Sequence, residues 1–202
     1  MSKTTTESNT YLDSAVSSKY LAAYTDIPNP ATGSGTECTG GSYARVSLAS
    51  KFAAAASEAV ASNASIAFPT STGSWGTVKA LSVMSASSGG TMSRVIPLVS
   101  TWKPFVGGAT ADTVTSYSHG YANDTIVVVS GRDLPGGLNE YTEYYVINQT
   151  TDTLQLSLSQ GGAAIDLTTD GGGYMGALSS KAVTAADITL TIDSGNLTLY
   201  EA

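Results

Sequence analysis

Residues 112–167 read DTVTSYSHGYANDTIVVVSGRDLPGGLNEYTEYYVINQTTDTLQLSLSQGGAAIDL. Five runs within this stretch are β-branched, aromatic or alternating: DTVTSYS (112–118), DTIVVVSG (124–131), TEYYVIN (142–148), DTLQLSL (152–158) and AAIDL (163–167). Gly-rich or Asp/Asn turns separate them at nearly even spacing, the pattern of a small antiparallel barrel or sandwich. Charge sets the same region apart. Residues 105–173 hold eight acids (Asp112, Asp124, Asp133, Glu140, Glu143, Asp152, Asp166 and Asp170) and one base, Arg132. The rest of the chain holds eight acids and eight bases, so all of the net −7 lies in this block. We therefore read 105–173 as an inserted acidic β module.

Working outward, the flanks carry strand signals of their own. Strands are expected over 19–25 (KYLAAYT), stopped by Pro28 and Pro30, and over 43–48, 64–68, 77–84 and 92–100. The Ala-rich run 50–65 leaves two readings open, a helix favoured by the four alanines at 53–56 and by Glu58, or a tight strand crossing. After the GGG at 171–173, YMGALSS and a final hairpin turning at 193–196 are expected to complete the first domain. Insertion between neighbouring strands is tolerated because the ends of such a loop lie close together. The polar opening, 1–18, is expected to form an extended arm with at most a short helix around 11–16. The fold class expected is thus all-β: a discontinuous antiparallel β-sandwich (19–104 plus 174–202), an inserted small β-barrel or sandwich module (105–173), and an extended N-terminal arm (1–18).

Composition narrows the function. The chain has 202 residues with only 12% charged, and its 28 Ser and 27 Thr supply the polar surface instead. A net charge of −7 and a pI near 4.4 argue against nucleic acid as a partner. One Cys excludes an intrachain disulfide and a cysteine zinc site, and one His excludes a multi-histidine metal centre. No apolar run approaches the ~18 residues of a membrane span, and no basic-then-apolar leader opens the chain. Neither a membrane partner nor a Sec signal is therefore expected.

Candidates for chemistry are few. His119 lies just before a turn, near Asp124, but no Gly-x-Ser-x-Gly elbow supplies a nucleophile for it. Cys38 sits in a Gly/Thr loop without a basic cluster to lower its pKa. The glycines at 33, 35 and 171–173 lack the strand-before, helix-after context of a phosphate cradle. Acid pairs Glu140/Glu143 and Asp166/Asp170 have no calcium-loop spacing and read as solvated turn residues. The Asn-x-Ser/Thr sequons at Asn63, Asn123, Asn148 and Asn196 follow from Ser/Thr abundance. Tyr117, Tyr121, Tyr141, Tyr144 and Tyr145 gather in the inserted module, where they could stack on a glycan or pack half-buried in strands. The expectation is no catalytic, cofactor-binding or metal site, and no cofactor. Phe68 and Trp75 are expected in the parent core.

The order of short motifs resembles a family of tailed-bacteriophage virion proteins commonly labelled tail fibre or minor structural protein. The resemblance rests on Gly-Thr-Glu (35–37), Gly-Ser-Tyr-Ala-Arg (41–45), Phe68-Pro69, Trp-Gly-Thr-Val (75–78) and Gly-Ala-Leu (176–178), and covers nearly all of 19–104 and 174–202. The segment 118–173 separately resembles a module that recurs in phage tail and virion proteins. The resemblance implies a non-enzymatic structural component of the virion, assembled in the host cytoplasm. Its attachment is expected at the capsid surface, neck or tail, with copies of itself and neighbouring virion proteins as partners. The alternative is a glycan-binding receptor or adhesion module that meets a host surface glycan.

Overall fold

The computed structural model describes residues 4–200, so the ends of the expected arm (1–3) and final hairpin (201–202) lie outside the described residues. One helix, α1 (Thr5–Val16), precedes β1 (Tyr20–Tyr24), β2 (Val46–Ser47), β3 (Ala59–Ala61), β4 (Ile66–Ala67), β5 (Gly76–Val78), β6 (Ala80–Met84) and β7 (Met92–Pro97). Six strands follow: β8 (Val99–Gly108), β9 (Thr113–Thr115), β10 (Ile126–Asp133), β11 (Tyr144–Ile147), β12 (Thr153–Ser157) and β13 (Gly171–Leu178). The chain ends with β14 (Lys181–Val183), β15 (Thr191–Ile192) and β16 (Thr198–Tyr200). The fold is all-β apart from α1, and its strands pair antiparallel in both units. Two compact units divide it: Met1–Ile96 with Lys181–Ala202, and Pro97–Ser180.

The first unit contains a four-stranded sheet in the order β2-β1-β6-β7. β1 and β6 are its centre, and Leu21, Ala22, Ala23, Ala80, Leu81 and Val83 are all buried. In β6 the small Ala80 and Ser82 alternate with Leu81 and Val83, and the whole strand is buried. The expected strand 77–84 breaks at Lys79, whose N–H donates to the Tyr24 carbonyl (2.8 Å), dividing it into β5 and β6. The Ala-rich run is not helical. Ala56 pairs with Ala59 around Ser57 and Glu58, both at positive φ (50° and 62°), a tight turn that a helix cannot contain.

The C-terminal segment does not fold as a hairpin on itself. β14, β15 and β16 lie antiparallel along β5, β4 and β3 in turn, in one register that slips by a single residue at β15. Two buried serines hold the connections between them. Ser71 Oγ donates to the Ala185 carbonyl (2.7 Å) and accepts from Ile188 N–H (3.0 Å), while Ser62 Oγ accepts from Gly195 N–H (3.1 Å). The segment buries Val183, Leu190, Leu197 and Leu199.

The extended arm is replaced by a docked helix. Thr4 and Glu7 form a capping box: Glu7 N–H donates to Thr4 Oγ1 (3.3 Å), and Thr4 N–H donates to Glu7 Oε2 (2.8 Å). Ser8, Leu12 and Val16 form the buried stripe, four residues apart. Asn9 Oδ1 accepts from Glu58 N–H (3.0 Å) and Asp13 Oδ1 from Ala55 N–H (2.7 Å), so the helix's polar side chains fix the turn before β3.

The second unit is a closed antiparallel barrel of six strands, β10-β11-β12-β9-β8-β13. It takes in 99–104 and 174–178, which the sequence reading gave to the flanking domain, because β8 and β13 pair from Val99↔Leu178 to Gly107↔Gly171. AAIDL (163–167) forms no strand. Only Ile165 N–H reaches the Leu156 carbonyl (2.8 Å), while Leu167 and Ile165 cover the core from outside the ladder. Inside lie Phe105, Val114, Val127, Val129, Tyr144, Val146, Leu154, Leu156 and Met175. The GGG at 171–173 has a packing role: a Cβ on Gly171 or Gly173 would fall 2.5 Å from the Asp133 or Ser130 carbonyl oxygen.

Candidate functional site

In the first unit, four of the motif fragments quoted above converge on one network. Arg45 Nε and Nη2 donate to the two oxygens of Glu37 (2.7 and 2.6 Å), and Arg45 Nη1 donates to the Ala86 and Gly89 carbonyls (2.7 and 2.6 Å). Tyr43 Oη donates to Glu37 Oε1 (2.9 Å) and accepts from Ala23 N–H (2.9 Å), tying the pair to β1. The Tyr43 ring meets Phe68 and Trp75 with centroids 6.2 and 5.3 Å away. Trp75 Nε1 donates to the Gly41 carbonyl (2.8 Å). Gly41 has φ +50°, and a Cβ there would fall 2.5 Å from the Gly73 carbonyl oxygen, so only glycine fits.

Burial pushes the Glu37 carboxyl up, but hydrogen bonds from Arg45 and Tyr43 and the Arg45 charge outweigh it, leaving it below the ordinary carboxylate value. Burial also raises the Tyr43 phenol far above its usual range. Cys38, buried beside this network, is pushed up to about 11 by burial and by the charge of Glu37, so it stays a thiol. The Arg45 side chain is only 7% exposed, which makes this a bidentate pair inside a framework and not a surface for a ligand.

His119 is buried in the second unit. Its Nδ1 accepts from Tyr121 N–H (3.0 Å), and its ring stacks on Tyr121 at 5.4 Å. The Nε2 atom has no hydrogen-bond partner among the described residues. A hollow of about 690 Å³ nearby is lined by Ser118, Gly120, Tyr121, Gln149 and Thr150 among others, and none of its lining residues is a carboxylate.

The acids of the barrel serve its loops. Asp112 accepts from Leu167 N–H (2.8 Å), Asp152 from Ser118 N–H (2.8 Å), and Asp170 from Ala109 N–H (2.9 Å). Glu140 Oε1 accepts from Ser130 Oγ (2.8 Å) and Gly131 N–H (3.0 Å). Among the described residues no group of three or more His, Cys, Asp and Glu is placed to hold a metal ion, and no helix is long and apolar enough to cross a membrane.

The five tyrosines do not share a surface. Tyr144 and Tyr121 are buried, Tyr141 and Tyr145 half-buried, and only Tyr117 stands out, at 82% exposed. The exposed aromatics of the barrel are instead Trp102, Tyr117 and Tyr174. Trp102 and Tyr174 were missed by the sequence reading, although the alternation in TWKPFVG offered a signal. With Phe105 inside, Trp102, Pro104 and Val106 must point outward.

A model of the family described as Podophage GP4 fiber I protein gp80 matches residues 6–116. Neither a curated protein nor a solved structure matches the chain.

Proposed function

The chain belongs to the podophage GP4 fiber I protein gp80 family, and from that premise we propose that it is a non-enzymatic structural component of the virion, attached through the unit formed by 1–96 and 181–202. The observation that carries this reading is the extent of the match. It includes all but the first residue of α1 and the whole of β1 to β9, and ends at Ser116, just past β9 of the barrel. The Glu37–Arg45–Tyr43–Trp75 framework lies inside it, and its side chains bond to one another and to the backbone. The attached unit meets copies of itself and neighbouring virion proteins at the capsid surface, neck or tail.

The barrel projects into solvent in this reading. Residues 97–180 hold eight acids against Lys103 and Arg132, and packing such copies face to face would set like charges together. The barrel's ends also lie side by side: Val99 pairs with Leu178, and Ser179 N–H donates to the Leu98 carbonyl (2.7 Å). Replacing 97–180 with a short Gly/Ser linker should leave incorporation into particles intact, as read by mass spectrometry of purified virions. Loss of incorporation would place the attachment in the barrel and overturn the proposal. The adhesion alternative draws its support from the exposed Trp102, Tyr117 and Tyr174, of which Tyr117 alone belongs to the five tyrosines.

A further inference from the structure

The segment 181–200 bonds to one stretch of the first unit. Its strands β14, β15 and β16 pair with β5, β4 and β3. Between those pairings, the Val183, Ile188 and Leu190 carbonyls accept from Trp75, Ser71 and Phe68 N–H at 2.8, 2.9 and 2.9 Å. Ser62 and Ser71 hold its turns, and the exposed hydroxyls of Thr70 and Thr189 meet at 2.8 Å. All of these partners lie within 59–78. The segment contributes the buried Val183, Leu190, Leu197 and Leu199 to the unit it completes.

It reaches that stretch across a short hinge. β13 ends at Leu178 and β14 begins at Lys181. Ser179 is still fastened to the barrel by its N–H on the Leu98 carbonyl (2.7 Å), which leaves Ser180 to turn the chain. Short hinges invite exchange of the element beyond them between copies. On the 59–78 stretch of another copy, the segment would make the same bonds. A stretch left empty would present an unpaired strand edge, so it needs an occupant from one copy or the other. Charge favours a meeting here and not at the barrel. Residues outside 97–180 hold eight acids and seven bases, against eight acids and two bases within.

We propose that neighbouring copies of this chain exchange the segment 181–200, each completing the first unit of another copy. The exchange rests on the reading that copies meet through the first unit, and it deepens that reading by naming the contact. Such an assembly needs no surface beyond the one that folds a single chain. Copies held side by side on a particle meet at high effective concentration, which favours the exchanged form over the closed one.

The test uses full-length chains with one new cysteine each at the touching threonines, Thr70→Cys in one chain and Thr189→Cys in the other. Cys38 is buried and does not compete. Co-expressed and oxidised, the two should give a disulfide-linked species at twice the 20.5 kDa chain mass, removed by reductant. Either variant expressed alone should lack it. One chain carrying both substitutions should link to other chains, in purified protein and in virions. Lengthening the hinge after Ser180 by about eight Gly/Ser residues should shift this linked material toward the mass of one chain. A Thr70→Cys/Thr189→Cys disulfide confined within single chains, in solution and in virions alike, overturns the exchange. Association of copies without that link between chains also overturns it, and leaves the attachment reading standing. Failure of the attachment reading shows separately, as lost incorporation when a linker replaces 97–180.

Discussion

The two units close in different ways. The barrel closes within one stretch of chain: six strands form a ring, and the acids at its loops bond to backbone N–H groups of neighbouring loops. The other unit is left open at Ile96 and is completed only when the chain returns at Lys181 and lies along β5, β4 and β3. One unit is therefore a self-contained topology, while the other rests on pairings between residues more than a hundred positions apart. The difference teaches that closure needs more than strands. The barrel needs its first and last strands to meet, and the other unit needs its C-terminal segment to find buried Ser62 and Ser71.

The sharpest way to break this comparison is to cut at its seams. The fragment 97–180 should unfold in one cooperative thermal transition, because it keeps all six strands. The fragment 105–173 should show none, since it loses the β8 residues 99–104 and the β13 residues 174–178 and leaves the ring open. Ending the chain at Ser180 should remove the transition of the first unit and leave that of the barrel. A folded 105–173 fragment would show that the ring is not what holds the barrel.

Next in size, Phe68→Ala or Trp75→Ala should lower the stability of the first unit by about 3–5 kcal/mol in denaturant titration, the usual cost of truncating a buried aromatic. The barrel transition should not move. Coupled loss of both transitions would mean that the units are not energetically separate.

A smaller effect is expected at Glu37. At neutral pH, Glu37→Gln should cost about 1.5–3 kcal/mol, the range for hydrogen bonds to a charged group. The folded carboxyl lies below its ordinary value, so this stabilisation is present above the unfolded value and fades as the pH falls through the folded one. The wild type and Glu37→Gln should therefore converge in stability in acid, as read by denaturant titration at several pH values. A constant difference would remove the charge from the explanation.

The smallest effect is at the helix cap. Thr4→Ala should cost about 1 kcal/mol if α1 is docked and capped, and nothing if 4–16 is an unattached arm. Thermal unfolding of the first unit separates the two outcomes.

Much was legible in the sequence wherever the deciding interaction was local. The β-branched and aromatic runs in 126–133 and 144–147 and the turn residues between them marked strands, and the acidic excess falls within the stretch 97–180. The motif fragments around 35–45 and 68–78 pointed to the family, and the structure shows them meeting at Glu37, Arg45, Tyr43, Phe68 and Trp75. The helix was legible too in its Thr-x-x-Glu box, but Ser8 stands where a larger apolar residue would have made the stripe plain.

What only the tertiary structure decided were the long-range pairings. Nothing local tells 99–108 to pair with 171–178, or the end of the chain to pair with 59–78 instead of folding back on itself. The same holds for surfaces. Tyr144 and Tyr174 are the same residue in similar strands, yet one points into the barrel and the other out of it. Composition and turn chemistry act over a few residues and so can be read in order along the chain. Register, ring closure and the inward or outward sense of a side chain depend on which distant strand becomes the neighbour, and that is set by burial over the whole fold.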